Sequence, residues 1–416
     1  MRHLSQTKGE DCQKMKLKSH CTFFHALSSI AWKRKTGPQC RLWSSDRPTA
    51  PLGARILTDP KKVFEHNMWD HVQWSHQEKE DARKKAIENS CVQIPLEERD
   101  TYDKEAVKYW DEFYRTHQNK FFKDRNWLFF EFPELLSHRR EGLGVEEGQC
   151  NVAVPASRSN LCNSKDPRPE QSEGFSAHSS PHTEHRGGVI YGGVSSCGGS
   201  GRNSETWKYV DTFPGSEAAF RIFEVGCGAG NSVFPIVNAL KEKGVFLYCC
   251  DFSPQAVELV KTHQNYSPVR CHAFVHDVCE EASTFPFPDE SLDIVLLVFV
   301  LSAIHPERMQ GVVNRLAQLL KPGGTLLFRD YGRYDLSQLR FKRGRCLSEN
   351  FYVRGDGTCV YFFTKVEVHN LFSNAGLNEI QNLEDRRLQV NRGKGVVMRR
   401  VWMQSKYQKP LARSDP

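Results

Sequence analysis

The sequence has no uninterrupted apolar run approaching the roughly 18 residues that a membrane-spanning helix needs. The longest, Ile294 to Ile304, is broken by Ser302 and suits a buried central strand with the turn after it. It has fourteen cysteines but no C-x-x-C. Cys249 and Cys250 are adjacent within one apolar run, and Cys271 and Cys279 bracket another without a matching His pair. This spacing offers neither a zinc set nor a disulfide framework, so no metal is expected and most thiols are read as reduced and structural. From Gln13 to Ser45 there is no acidic residue, and Ser137 to Thr206 has few large apolar ones.

Each of these gaps marks a segment. The acid-poor stretch carries Lys14, Lys16, Lys18, Lys33, Arg34, Lys35 and Arg41 among Ser, Thr, Phe23, Phe24, Leu27 and Ile30. That is the composition of a mitochondrial transit peptide, assigned to residues 1–45, with Met15 as an alternative start. A disordered basic arm and a nuclear-type patch at Lys33 to Lys35 are the alternatives. Residues 137–206 are rich in Ser, Gly, Glu, Asn and Arg and read as a disordered linker. Net charge follows the same partition. Residues 1–50 hold ten Lys/Arg against three Asp/Glu, the middle of the chain is acidic, and residues 329–416 come to about +8. A basic C-terminal fifth suggests a local anion-binding surface, solvated charge being the alternative.

The chemistry centres on Glu224-x-Gly226-x-Gly228-x-Gly230, which follows the apolar run Phe220 to Val225 and precedes a helix-like stretch from Asn231 to Lys243. Glycines permit the tight turn and let a ligand lie against the main chain. A second buried run, Val245 to Cys250, ends in Asp251, a carboxylate suited to both hydroxyls of a ribose. A third, Cys271 to His276, leads to Asp277 and Val278. A structural glycine turn in another α/β fold is the alternative at this point. Further runs at Leu292–Phe299 and Thr325–Asp330, separated by a helical Pro306–Leu320, call for a parallel, doubly wound sheet over residues 207–410, with a tail at 411–416. Val366–Asn374 reads as a helix and Val397–Met403 as a last strand.

Residues 46–136 form a different, helical segment. Ser75 can cap a charged helix over 76–89, and the pattern from Tyr102 to Thr116 places Trp110 and Tyr114 four apart on one helix face. They are either core anchors or an aromatic pair facing a cationic ligand, worth about 0.5–2 kcal/mol. Cationic and aromatic residues then interleave from Asn119 to Trp127, including Lys123 and Arg125. The insert after Asp330 does the same with Arg340, Lys342, Arg343 and Arg354. That mixture suits nucleic acid.

Tyr109-Trp110-Asp111-x-Phe113-Tyr114, Phe121 to Arg125, Glu224 to Asn231, Asp251-Phe252-Ser253, Phe299 to Ala303, Phe328 to Gly332 and Asn350 to Arg354 together resemble the tRNA N3-methylcytidine methyltransferases, over about residues 50–136 and 207–410. Ala50-Pro51-Leu52-Gly53, joining the leader to that region, makes the mitochondrial branch the nearer likeness. The resemblance implies a class I, Rossmann-like methyltransferase fold with a helical N-terminal extension. It also implies S-adenosyl-L-methionine as cofactor and a cytidine at position 32 of the anticodon loop of mitochondrial tRNAs as substrate. It puts Trp110, Tyr114, Gly226, Gly228, Asp251, Asp277, Val278 and Val298 at the cofactor. The partner is tRNA, and an aminoacyl-tRNA synthetase is the candidate protein partner. The compartment implied is the mitochondrial matrix, or cytoplasm or nucleus for forms lacking the leader.

Cytosine N3 carries a lone pair and no proton at neutral pH, so it needs no general base, and the rate must come from positioning and electrostatics. Asp330 is the candidate carboxylate for the cationic base that forms; a structural partner of Arg329 or Arg333 is the alternative. No Asp/Asn-Pro-Pro-aromatic follows the fourth run, as adenine N6 chemistry would require, and no Pro-Cys pair offers a cytosine C5 nucleophile. A methyltransferase acting on mRNA or protein, and a non-catalytic RNA-binding scaffold with the same fold, are the competing functions.

Overall fold

The computed structural model describes residues 53–139, 212–240 and 244–411. The basic leader at 1–45, the polar stretch 137–206 apart from residues 137–139, and the tail past residue 411 lie outside those residues. The first helices are α1 (His76–Ser90), α2 (Leu96–Lys104), α3 (Ala106–His117) and α4 (Leu128–Glu131). Ser75 caps α1 in a full capping box with Glu78, as its spacing predicts. The expected Tyr102–Thr116 helix is instead two helices, broken where Glu105 leaves helical geometry and Asp103 is drawn to Arg308.

The sheet has eight strands in the order β1-β10-β11-β6-β5-β2-β3-β4. Strands β2 (Phe220–Val225), β3 (Val245–Asp251), β4 (Cys271–Val275), β5 (Leu292–Val298) and β6 (Leu320–Tyr331) pair in parallel. The crossover helices are α5 (Val233–Ala239), α6 (Pro254–Lys261) and α7 (Pro306–Leu319). Helix α5 is shorter than the Asn231 to Lys243 stretch suggested, and Arg270 donates to the carbonyls of Val237 and Leu240 at its end. The parallel strands are apolar on both faces because both are covered. Phe223, Val295 and Phe328 pack against α7 and the later helix α9 (Lys365–Asn374), while Ile222, Leu247 and Leu296 pack under α5 and α6. Leu128, Phe132 and Leu135, from the N-terminal segment, complete that second face.

Beyond β6, and past the short α8 (Leu336–Leu339), lies a second sheet of β7 (Cys346–Ser348), β8 (Phe351–Val353) and β9 (Cys359–Tyr361). The main sheet then turns antiparallel through β10 (Asn378–Asn391) and β11 (Val396–Gln408), and the two-residue β1 (Met68–Trp69) closes its edge on β10. The sequence pattern shows only part of β11 and none of β10. Among the described residues no helix is long and apolar enough to cross a membrane. The described cysteines are all free thiols.

The antiparallel half and the N-terminal segment meet over buried charge rather than hydrocarbon. Arg387 bonds Glu131 (2.5 Å) and Asp385 (2.9 Å) and approaches Asp70 at 3.5 Å. Arg329 pairs with Asp385 at 2.6 Å and sits between the rings of Trp127 and Trp402. Gln404 donates to Glu131 at 2.8 Å. Removing one partner strands the others in a poorly solvated site. Arg387→Ala is therefore expected to lower unfolding free energy by roughly 3–5 kcal/mol, measured by urea denaturation, whereas Arg386→Ala, with its partly exposed Glu384 pair, should cost about 1 kcal/mol or less.

Candidate functional site

Strand β2 delivers Glu224 and Val225 to the glycine turn at the carboxyl edge of the sheet, where open α/β sheets bind ligands. Gly226 and Gly228 have φ of 61° and 53°, in the left-handed region. A Cβ on Gly226 would lie 2.5 Å from Val300, and one on Gly228 would lie 2.5 Å from the Tyr114 hydroxyl. The turn is therefore built for close approach, and any side chain there would fill it.

A cavity of about 760 Å³ opens above this turn. Its wall includes Gly226, Asp251, Asp277, Val278, Trp110 and Tyr114, so six of the residues singled out in the sequence converge on one space. Trp110 and Tyr114 stack with ring centroids 5.9 Å apart and planes at 27°. Helix α3 holds them in place through Asp111, which accepts from the Ser253 hydroxyl at the start of α6 and from the Gln255 amide at 3.3 Å. Burial holds the Tyr114 phenol well above its usual range, so it stays neutral.

Asp251 accepts from the Gly228 amide at 2.9 Å and the Ser253 amide at 3.0 Å. Burial pushes its carboxyl up to about 6 against those two bonds. Asp277 accepts from the Cys279 amide at 2.8 Å. This donor and acceptor set fits S-adenosylmethionine: a carboxylate at the strand end for vicinal hydroxyls, a second acid one strand further for a base, and two aromatic faces for a sulfonium cation.

Four expectations need correction. Gly228 does not line the cavity, but its amide orients Asp251. Val298 is buried in the core under α5 and α6, and the next two residues, Phe299 and Val300, form the wall in its place. Asp330 is wholly buried, absent from the wall, and accepts from the amides of Ser302 (2.9 Å) and Tyr331 (2.8 Å). It holds the turn after β5 and contacts neither arginine proposed for it, since Arg329 goes to Asp385 and Arg333 to Glu367. Burial raises its carboxyl to about 6.

Arg125 is the fourth. Its side chain is 13% exposed and enters the glycine turn instead of facing solvent. It donates to the Ser232 hydroxyl at 2.8 Å, lies 3.6 Å from Glu224, and its amide bonds the Asn231 carbonyl at 2.8 Å. Glu224 is 1% exposed, and burial raises its carboxyl to about 7 against the opposing pull of Arg125. Of the other basic candidates, Lys123, Arg340 and Lys342 are exposed, and Arg343 is exposed and paired with Glu88 at 3.2 Å. Arg354 is half-buried and bonds Thr358 and the Cys359 carbonyl. Sequence reasoning missed Asp111, Phe299, Val300 and His276 as site residues. Asp111 carried a signal inside the aromatic motif of α3, and Phe299 and Val300 one inside the Phe299 to Ala303 motif.

The chain matches the family model described as "Methyltransferase domain" over residues 223–326. It is 52% identical over 361 residues to tRNA N(3)-cytidine methyltransferase METTL2 of Danio rerio, covering 87% of this chain and 90% of that protein. Against METTL2B of Homo sapiens the identity is 49% over 370 residues, covering 87% and 94%. Against the mitochondrial METTL8 of Mus musculus it is 50% over 277 residues, covering 64% and 92%. Among solved structures, a SAM-dependent methyltransferase from Methanosarcina mazei superposes on 47% of this chain and 94% of its own, at 18% identity and a TM-score of 0.36. With about half its residues shared with METTL2 proteins across nearly their whole length, the chain belongs to the tRNA N(3)-cytidine methyltransferase family.

Proposed function

We propose that this S-adenosylmethionine-dependent tRNA methyltransferase forms N3-methylcytidine at position 32 of the anticodon loop of mitochondrial tRNAs. The observation that carries the catalytic reading is the meeting, in one cavity, of the glycine turn and Asp251 with Trp110 and Tyr114 from the N-terminal segment. The METTL2 relatives support the tRNA cytidine. The mitochondrial address rests on the acid-poor leader, and the METTL2 proteins match a larger share of this chain than mitochondrial METTL8 does. An aminoacyl-tRNA synthetase that helps select the tRNA belongs to the same reading.

The bound cofactor supplies an electrophilic methyl group on a sulfonium sulfur. Trp110 and Tyr114 would offer that cation two π-faces, and Asp251 would offer its ribose a carboxylate. Phe299 and Val300 exclude water along the wall after β5. Cytosine N3 would accept the methyl group with its own lone pair and carries no proton at neutral pH, so this site has no need of a general base. An unpaired loop base exposes N3, which a duplex would occupy. Asp330 acts by holding the Ser302 amide, and thereby the turn that carries the wall.

Trp110→Ala and Tyr114→Ala are each expected to raise KM for the cofactor about tenfold, and Asp251→Ala roughly 10- to 100-fold, in assays following transfer of labelled methyl to tRNA.

Acidity should act through Glu224 and Asp251. Their folded carboxyls titrate near 7 and 6, above the ordinary range, so the folded chain retains protons that the unfolded chain has released. Their burial therefore costs stability as pH rises through that window, while affinity for a cationic ligand grows as they ionise. Cofactor KM is expected to rise several-fold as pH falls from about 7.5 to about 5.5, and Glu224→Gln should flatten the upper part of that profile.

Nucleoside mass spectrometry of mitochondrial and cytosolic tRNA from cells lacking the protein tests substrate and compartment together. Loss of 3-methylcytidine from the mitochondrial pool alone is expected. Loss confined to cytosolic tRNA would keep the chemistry and overturn the address.

A further inference from the structure

The connection from β4 to β5 is irregular, with no helix or strand across residues 276–291. Yet its first residues, His276 to Cys279, line the cofactor cavity, so their placement matters to within a fraction of an ångström. Local bonds hold only part of it: the His276 amide reaches the Asp251 carbonyl at 3.0 Å, the Glu280 amide the Asp277 carbonyl at 3.0 Å, the Cys279 amide the Asp277 carboxylate at 2.8 Å, and the Ser283 amide the Glu280 carbonyl at a long 3.4 Å. The remaining carbonyls of this stretch have no ladder to join.

Arg315, from the middle of α7, supplies the missing partner. Its Nη1 donates to the carbonyls of Val278 (2.9 Å) and Glu280 (2.5 Å), and its Nη2 to that of Ser283 (2.8 Å). The guanidinium carbon also lies 5.3 Å from the centre of the Phe285 ring. Ser283 and Phe285 then contact His276 from behind, the hydroxyl 3.2 Å from Nδ1 and the rings 4.3 Å apart. One side chain thus ties the first half of the loop to a helix whose neighbouring residues Val312, Val313 and Leu316 are buried in the core. A planar fork suits this, since it serves the three carbonyls from two separate nitrogens where an ammonium has only one.

We infer that Arg315, which does not itself line the cavity, is the positioning residue for recognition of the cofactor's adenine, fixing the loop that presents Asp277 and Val278 to the base. The inference rests on the reading of those two residues as the adenine-facing pair.

The test uses the full chain with tRNA, comparing Arg315→Ala, Arg315→Lys and Asp277→Ala. The readouts are KM for the cofactor, kcat, melting temperature, and inhibition by S-adenosylhomocysteine against its hypoxanthine counterpart. Arg315→Ala is expected to raise cofactor KM about tenfold, with the loss falling on KM rather than kcat, and to reduce the preference for adenine over hypoxanthine. Arg315→Lys should recover part of both, and it is the variant to read if the alanine form does not fold. If Asp277→Ala shifts KM and base preference while neither Arg315 variant does, the inference is overturned. A lowered melting temperature and kcat with base preference intact overturns it equally, marking Arg315 as structural only. If Asp277→Ala changes neither KM nor base preference, the adenine reading itself fails, and the inference with it.

Discussion

The site depends on one buried ion pair. Glu224, next to last in β2, has almost no exposure, and its carboxylate faces Arg125 at 3.6 Å beside the Ser232 hydroxyl. A lone carboxylate there would be neutralised or expelled. Arg125 supplies the opposing charge and, in the same reach, bonds Ser232 and the Asn231 carbonyl, while Asn231 bonds back to the Phe122 carbonyl at 3.3 Å. The glycine turn is therefore completed by a segment about a hundred residues earlier in the chain. Once that segment is tied to the turn, α3 has one place to lie, and Asp111 confirms it by seizing the start of α6. Trp110 and Tyr114 come over the cavity as a consequence.

Charge plays a second, different part at the antiparallel end of the sheet. Arg329, Arg387, Asp385, Glu131 and Asp70 form a layer between β10, β11 and the N-terminal segment. Such layers add little net stability over hydrocarbon of the same volume, but a shifted register would leave an unpaired charge in a dry site. The layer thus specifies how β1 and α4 dock on the sheet. The opposite face of the N-terminal segment, through Leu128, Phe132 and Leu135, contributes ordinary hydrophobic burial. Specificity and driving force come from different residues of the same short stretch.

The chemistry is economical because cytosine N3 brings its own electron pair. The protein has no proton to move, so its carboxylates are available for recognition. Burial raises the carboxyls of Glu224 and Asp251 to about 7 and about 6, and the chemistry asks neither of them to act as a base. Asp330, the acid expected beside the methylated base, is instead buried and accepts from the Ser302 amide in the turn after β5.

The parallel half of the sheet, the glycine turn, the acid that ends β3 and the acid that follows β4 are all legible in the chain. These features are local: continuous apolar runs ending in glycine or aspartate leave few alternatives. It also placed Trp110 and Tyr114 on one helix face, since that follows from helical spacing alone. Tertiary structure decided the rest. Strand β10 was invisible because it inverts the usual pattern, burying Asn382 and Arg387 while exposing Ile380 and Leu383. That arrangement is tolerable only with Asp385 beside Arg387 on the same strand and with Glu131 and Ser405 facing it. Arg125 read as a nucleic-acid contact because nothing in its neighbours names Glu224 as its partner, and Asp330 read as catalytic because burial is not written in a strand's last residue. Periodicity reports which face a side chain takes on its own element; only the packed fold reports what stands opposite it.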